Sequence, residues 1–302
     1  MGFFRFPKIR PESSRNIPNP MKNLLVLVGF ILTMAACEEE SSKQGAKIIT
    51  APQDTLTYLN RHLLRTYGNC QDPEDYTCTH AEVKYLLITG GVTDIVRKRI
   101  NQTILSNLQG EEKSLEDFLD RFLNEYHEYV ESDFEFMDEE PGWFYEGRLN
   151  MALNDVRVLT LAHQEYEFTG GAHGNYQTKF WHFNCQTGMS LNLVDLIQPE
   201  NEAELTALGE HYFRLNMHLR EDGSINESTG FSFPDDEFYL PPVYALLPQG
   251  LTFTFGTYEI SSYAEGEIQF SIPYEELARI AKKGSILEDL VKKPPFFLQN
   301  GS

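Results

Sequence analysis

Apolar residues recur every three or four positions in several segments of the chain, and this spacing predicts amphipathic helices. The segments are Asp54–Tyr67, Val92–Leu108, Ser114–Val130 and Glu202–Leu219. Ser114 with Asp117 forms a capping-box-like pair, which is typical of a helix start. Pro273, followed by Glu275 and Glu276, predicts one further start, because proline and acidic side chains suit the first turn of a helix.

Runs rich in β-branched and aromatic residues lie between these segments and predict strands. The runs are Ala81–Ile88, Trp143–Leu149, Val156–Phe168, Tyr176–Asn184, Phe238–Leu247 and Leu251–Phe255. Helices and hairpins that alternate in this way are typical of an α+β fold. We therefore predict two small lobes, each a helix-plus-antiparallel-sheet unit.

A glycine-rich turn is predicted to join the two lobes. The strand that ends at Phe168 runs into Thr169-Gly-Gly-Ala-His-Gly174, and another strand-like run follows at once. Glycine reaches positive φ at little cost, so such a cluster indicates a tight turn between two strands. We place the lobes at residues 51–175 and 176–302.

The residues before the lobes have the pattern of an export signal. Lys22 precedes an apolar core at residues 24–36, and small residues stand directly before Cys37. Thirteen helical residues span only about 20 Å, which is short of a bilayer core of about 30 Å. We predict an upstream extension at residues 1–20, a bacterial lipoprotein signal peptide at 21–36 and a tether at 37–50.

A lipidated Cys37 would hold the protein at a membrane, because several acyl chains suffice for stable anchoring. The acidic run Glu38–Glu40 that follows is similar to the export tags of surface lipoproteins in the Bacteroidetes. We therefore expect a periplasmic or cell-surface protein, with the outer membrane favoured.

Charge limits the partners that this chain can bind. The chain has 25 basic and 45 acidic residues, a net charge of −20. Without residues 1–36 it would have 20 basic and 44 acidic residues, a net charge of −24. Such a charge repels nucleic acid and favours basic partners through long-range attraction.

Cysteine usage adds one predicted cross-link. In an exported chain, Cys70 and Cys78 are close enough in sequence to form a disulfide around a small loop. Cys185 is then left over, either as a buried thiol on a strand or as a reactive group.

No motif predicts a catalytic residue, a cofactor or a metal site. The nearest approach is His127-Glu128, which lacks the second histidine of a zinc site. His163, His173 and His182 flank the glycine-rich turn and would meet if the strands around it pair suitably. They could then support the turn, contact a partner, bind a metal or act as a base.

Four later segments occur in an informative order: Thr169–Gly174, Phe183–Leu196, Gly250–Gly266 and Phe270–Tyr274. Together they resemble the extracellular module of RsiV-type anti-sigma factors and the non-catalytic N-terminal region of PdaC-type deacetylases. The resemblance covers roughly residues 80–277, with a PdaC-like first domain and an RsiV-like second domain. It implies an α+β fold of unassigned biochemical function.

The resemblance implies a non-catalytic module that binds or senses lysozyme or peptidoglycan fragments, and the predicted lipoprotein signal would make it lipid-anchored. An anti-sigma role is not expected, because residues 1–36 leave no room for a sigma-binding segment and a spanning helix. The alternative is an envelope polysaccharide hydrolase or deacetylase that uses the region of His173. Candidate binding residues are Gly170, Gly171, His173, Tyr258, Glu259 and Tyr263.

Overall fold

The computed structural model describes residues 56–132 and 142–295, which have an α+β architecture as predicted. The strands are β1 (Thr57–Thr66), β2 (His80–Gly90), β3 (Phe144–Asn154), β4 (Val158–Phe168), β5 (Asn175–Asn184), β6 (Val243–Leu247), β7 (Gly250–Phe255) and β8 (Ile268–Ile272). The helices are α1 (Asp94–Gln109), α2 (Leu115–Ser132), α3 (Leu193–Leu196), α4 (Glu202–Asn216) and α5 (Ile286–Lys292). The predicted signal peptide, Cys37 and the tether lie outside the described residues.

The first sheet has the strand order β1-β2-β3-β4-β5. Neighbouring strands are antiparallel except β2 and β3, which are parallel. A parallel pair needs a long crossover, and the stretch that contains α1 and α2 provides it. Both helices pack on one face of the sheet and bury a shared apolar core with it.

Capping and one-sided burial explain these two helices. The Thr93 hydroxyl accepts a hydrogen bond from the Val96 amide, and the Ser114 hydroxyl accepts one from the Asp117 amide. Each bond satisfies a free N–H group in the first helical turn. The buried residues of α1 follow a four-residue spacing: Val96, Ile100, Ile104 and Leu108. Ile95 lies in the segment predicted from its apolar spacing and is expected to be buried, but it is 72% exposed.

The helix predicted at Asp54–Tyr67 is wrong, because Thr57–Thr66 forms the edge strand β1. This segment pairs with β2 along its whole length, so ladder hydrogen bonds outweigh the helical spacing of its leucines. That spacing does not mark a buried face, since Leu59 is 48% exposed.

The predicted strands on either side of the glycine-rich turn are present as β4 and β5, and they form an antiparallel hairpin. The boundary drawn between residues 175 and 176 falls at the start of β5. The first sheet therefore extends into the segment that we assigned to the second lobe.

The second sheet is antiparallel, with the order β6-β7-β8. The strand predicted at Phe238–Leu247 begins only at Val243, directly after Pro241 and Pro242, which have no N–H to donate to a ladder. Pro273 begins a short 3₁₀ turn at Tyr274–Leu277. The predicted helix at Glu202–Leu219 is α4, and its Leu205 and Phe213 enter a core rich in phenylalanine.

This second core covers the face of the first sheet that α1 and α2 leave open. Val158 of β4 belongs to it. The Thr160 hydroxyl donates a hydrogen bond of 2.8 Å to the Leu246 carbonyl, and the Leu246 amide donates one of 3.3 Å to His182 Nε2. The first sheet therefore contributes one face to each of the two cores, and the two lobes pack as one unit. Among the helices of the described chain, none is long and apolar enough to cross a membrane.

Candidate functional site

The glycine-rich turn between β4 and β5 meets the connection between β7 and β8. The Tyr263 hydroxyl donates a hydrogen bond of 3.0 Å to the Gly174 carbonyl. The His173 ring stacks on Tyr263 with 4.0 Å between centroids, and its Nε2 lies 3.1 Å from the Tyr258 hydroxyl. We call His173, Tyr258 and Tyr263 the aromatic patch. The structure thus brings together three of the six candidate binding residues through their side chains.

Glycines shape the turn that carries His173. Gly170 and Gly171 have φ values of 96° and 89°, which side chains rarely adopt. At Gly174 a Cβ atom would lie 2.5 Å from Tyr166 Cζ and 2.8 Å from the Glu167 carbonyl oxygen. Gly170 and Gly171 therefore fix the path of the chain, and Gly174 allows its close approach to β4.

Tyr258 has an unusual backbone for a tyrosine. Its φ is 66°, a conformation that costs about 1–2 kcal/mol for a residue with a Cβ, yet its side chain is 61% exposed. The neighbouring Glu259 holds this turn: its carboxylate accepts bonds from the Gly256 amide at 2.7 Å and the Tyr239 hydroxyl at 3.2 Å. Burial, together with the charge of Glu259, raises the pKa of Tyr239 to about 12.

Glu267 is a site residue that the sequence did not reveal. Its two carboxylate oxygens accept hydrogen bonds from the amide and the hydroxyl of Thr178, at 2.7 and 2.8 Å. Burial raises the pKa of Glu267, while the two bonds from Thr178 oppose that rise. Because β5 is an edge strand, Glu267 satisfies an amide that has no neighbouring strand. One acid among 45 carries no signal in the sequence for such a role.

His163 and His182 lie inside the hairpin, on opposite faces of the first sheet. His163 is two residues from Leu161, so it faces the helices, and its ring packs 5.1 Å from Trp181. His182 pairs with Thr160, faces the second sheet and stacks on Tyr244 at 4.8 Å. Burial lowers the pKa of each imidazole to about 4.

The three histidines therefore do not form a common site. Within residues 56–132 and 142–295, no group of three His, Cys, Asp or Glu side chains is placed to hold a metal ion. The hydrolase or deacetylase alternative required these histidines to converge on an open pocket. Because the three histidines lie apart, the structure gives no support to this alternative.

The cysteines have separate environments. Cys70 and Cys78 form a disulfide that closes the loop between β1 and β2. Cys185 is a buried free thiol, and burial with the nearby charge of Asp155 raises its pKa to about 12. A thiol with such a pKa stays protonated at neutral pH, so Cys185 is a poor nucleophile.

Two family models match the chain, and each matched stretch contains part of the aromatic patch. A model described as deacetylase PdaC matches residues 73–176, and one described as a protein of unknown function, DUF3298, matches residues 194–275. The chain carries a PdaC/DUF3298-like module. In this module the patch takes His173 from the PdaC-like stretch and Tyr258 and Tyr263 from the DUF3298-like stretch.

Solved structures show the same fold. A DUF3298 family member from Bacteroides fragilis has a TM-score of 0.67 and 19% identity, over 79% of this chain and 98% of that one. A DUF3298 family protein from Pseudomonas aeruginosa has a TM-score of 0.57 and 20% identity, over 76% and 95%. No curated protein matches the chain. These structures share the fold of this chain, and the family model that matches its second stretch is described as a protein of unknown function.

Proposed function

We propose that this chain is a lipid-anchored module of the bacterial cell envelope that binds or senses a ligand without catalysis, through the aromatic patch. One observation carries the proposal: Tyr258 is held exposed, in a strained backbone conformation, where the two family-matched stretches meet. Strain of this kind persists when the surrounding structure enforces it, and it concentrates at functional sites.

The chemistry of the patch suits a protein or glycan surface. A tyrosine offers a broad apolar face and a polar hydroxyl while losing little conformational freedom on binding. His173 and Tyr263 support Tyr258 from behind, so its ring is already positioned before a ligand arrives. Preformed sites of this type lose less entropy when they bind.

Lysozyme and peptidoglycan fragments are the ligands that we propose. Lysozyme is strongly basic, so a mature chain of net charge −24 would attract it over long range. Attraction by net charge alone is unspecific and fades above about 0.15 M salt, where the Debye length is about 8 Å. A docked interface around Tyr258 would keep most of its affinity.

Titration of residues 38–302 with lysozyme, with peptidoglycan fragments and with an unrelated protein of equal positive charge tests the proposal. We expect one of the first two ligands to bind selectively at both low and high salt. Tyr258→Ala should weaken that binding by about tenfold or more, as is common for a central interface tyrosine. Tyr76→Ala, which removes a tyrosine that is 65% exposed in the disulfide loop, should leave it unchanged.

If lysozyme and the unrelated basic protein bind equally and both lose binding at high salt, then the attraction comes only from the net negative charge and the lysozyme proposal fails. The location is tested separately in the native host. Cys37→Ser should move the protein out of the membrane fraction if Cys37 carries the lipid.

A further inference from the structure

The two ends of the first sheet carry different surfaces. One end contains the starts of β1 and β4 and the ends of β2, β3 and β5. The described chain begins there, at Leu56, which exchanges two hydrogen bonds with the Asn154 side chain. We call this the tether end, because Leu56 is the described residue nearest in sequence to the predicted tether. The aromatic patch lies at the other end.

Exposed apolar side chains gather at the tether end. The described residues include nine large hydrophobic side chains that are exposed, and five of them are at this end. They are Tyr58, Leu59, Ile95, Val156 and Met189, with exposures between 44% and 72%. Single exposed apolar residues are ordinary on a protein surface, but a concentration at one end marks an interaction surface.

Packing places three of these residues around one turn. At Gly188 a Cβ atom would lie 2.9 Å from the Val96 carbonyl, so the turn after β5 rests on the first turn of α1. Arg99 donates a hydrogen bond to the Thr187 carbonyl and ties the same two segments together. Ile95 and Met189 therefore flank one contact. The Cys185 amide donates to the Arg157 carbonyl at 2.9 Å, which brings Val156 beside them.

The charged residues next to Ile95 and Val156 in sequence are mostly basic, unlike those of the chain as a whole. Lys98 and Arg99 are exposed close to Ile95. The acidic Asp94 is paired with Arg97 at 2.9 Å, and Asp155 is paired with Arg157 at 2.7 Å. A tyrosine, several aliphatic side chains and nearby basic groups are the composition of a protein surface that sits in a lipid headgroup layer.

We infer that the tether end of the first sheet rests on the phospholipid bilayer that anchors the protein, with Ile95, Val156 and Met189 inserted among the headgroups. This inference rests on the proposed envelope location. The aromatic patch then faces away from the membrane. From the first to the last of the 11 residues of β4 there are about ten steps of roughly 3.3 Å, which separate the two ends by about 33 Å.

The tether alone does not impose this orientation. Residues 38–55 could span up to about 60 Å if fully extended, which is longer than β4. A weak contact is enough to orient the protein, because the anchor keeps the surface at a high effective concentration near the lipid.

Site-specific fluorescence on vesicles tests the orientation. Both cores lie within the described residues, so residues 38–302 keep the fold and can be held by an N-terminal histidine tag on nickel-chelating lipid. The vesicles contain phosphatidylcholine, phosphatidylglycerol and a nitroxide-labelled lipid. A thiol-reactive fluorophore is placed by Val156→Cys or, at the patch end, by Asn175→Cys. The native cysteines do not react, because one is buried and two form the disulfide.

We expect the label at position 156 to be quenched by the nitroxide lipid about threefold more than the label at 175, because headgroup insertion reaches only about 5–10 Å. I95D with M189D should lower quenching at 156 to the level seen at 175. L215D, which changes an exposed leucine at the end of α4, is the matched control and should have no effect.

Equal quenching at the two positions, or quenching at 156 that ignores I95D with M189D, overturns the inference. Shielding of the label at 156 that grows with protein concentration without lipid also overturns it, because the surface would then join two copies of the chain. The outcomes are separate from those of the ligand titration. Loss of ligand binding with lipid contact retained would remove the proposed ligand and leave the orientation.

Discussion

The interior and the tip of the β4–β5 hairpin use histidine in opposite ways. Inside the hairpin, His163 and His182 are buried and packed against Trp181 and Tyr244. At the tip, His173 is exposed and contacts two tyrosines of the second lobe. The residue type is the same, but His163 and His182 lie on buried parts of the two strands, whereas His173 lies in the exposed turn.

This comparison separates the part of the hairpin that stabilises the fold from the part that is available to bind a ligand. Interior histidines contribute ring packing and, for His182, one accepted hydrogen bond, and they must stay neutral to do so. The tip buries few apolar side chains, but its contacts join the two lobes and hold Tyr258 at the surface. We expect changes in the interior to alter stability and changes at the tip to alter binding.

The largest expected effect is at the base of the tip, where Gly174→Ala would place a Cβ atom against Tyr166 and the Glu167 carbonyl. We expect a loss of about 3 kcal/mol in the free energy of unfolding, because a rigid ring and a backbone oxygen must both move. Urea unfolding measures the loss.

Gly171→Ala is the matched control. Its φ is 89°, but no atom lies within 4 Å of the added Cβ. We expect about 1 kcal/mol, from backbone strain alone. Equal losses in the two variants would show that the close approach at Gly174 does not matter.

The next effect is the pH dependence of stability that comes from the hairpin interior. Burial lowers the pKa of His182 from 6.5 to about 4, so the unfolded chain binds the proton more readily than the folded one. The stability that His182 contributes is therefore fully present above about pH 6.5, and it is lost as the pH falls toward 4. Between pH 7 and pH 5 the loss should be about 2 kcal/mol for this residue.

His182→Gln tests this, because the glutamine oxygen can still accept from the Leu246 amide while it does not titrate. The variant should lose about 2 kcal/mol less than the native chain between pH 7 and pH 5. His80 works in the opposite direction: burial lowers its pKa, but Glu146 raises it overall, and this background is common to both chains. The exposed His211→Gln is the control. A native slope in the His182→Gln variant contradicts the assignment.

The three longer helices, α1, α2 and α4, and most strands of this fold follow from local sequence. The buried stripe of α1 and the capping pair of α2 act within a few residues, so spacing and residue type suffice to predict them. The edge strand β1 does not follow, because Leu59 and Leu63 have helical spacing and only the pairing with β2 decides their structure. Long-range pairing of this kind overrides a local pattern.

The candidate site could be predicted only in part. Glycine clustering located the turn, but the register of the hairpin depends on how many residues that turn uses. The pairing of Thr160 with His182 puts His182 and His163 on opposite faces, and a shift of one residue would put them on the same face. Contacts between Glu267 and Thr178 join residues far apart in sequence and depend on the packed lobes.

The smallest effect on stability, and the sharpest test of the tip, is expected for Tyr258→Gly. Glycine adopts a φ of 66° without the strain that a tyrosine or an alanine carries there. The glycine variant should therefore be more stable than Tyr258→Ala by about 1 kcal/mol and within about 1 kcal/mol of the native chain. Both variants should lose ligand binding to the same extent, because both lack the ring. A glycine variant that is several kcal/mol less stable than the native chain would make Tyr258 a structural residue, and the interior and the tip of the hairpin would then serve the same purpose.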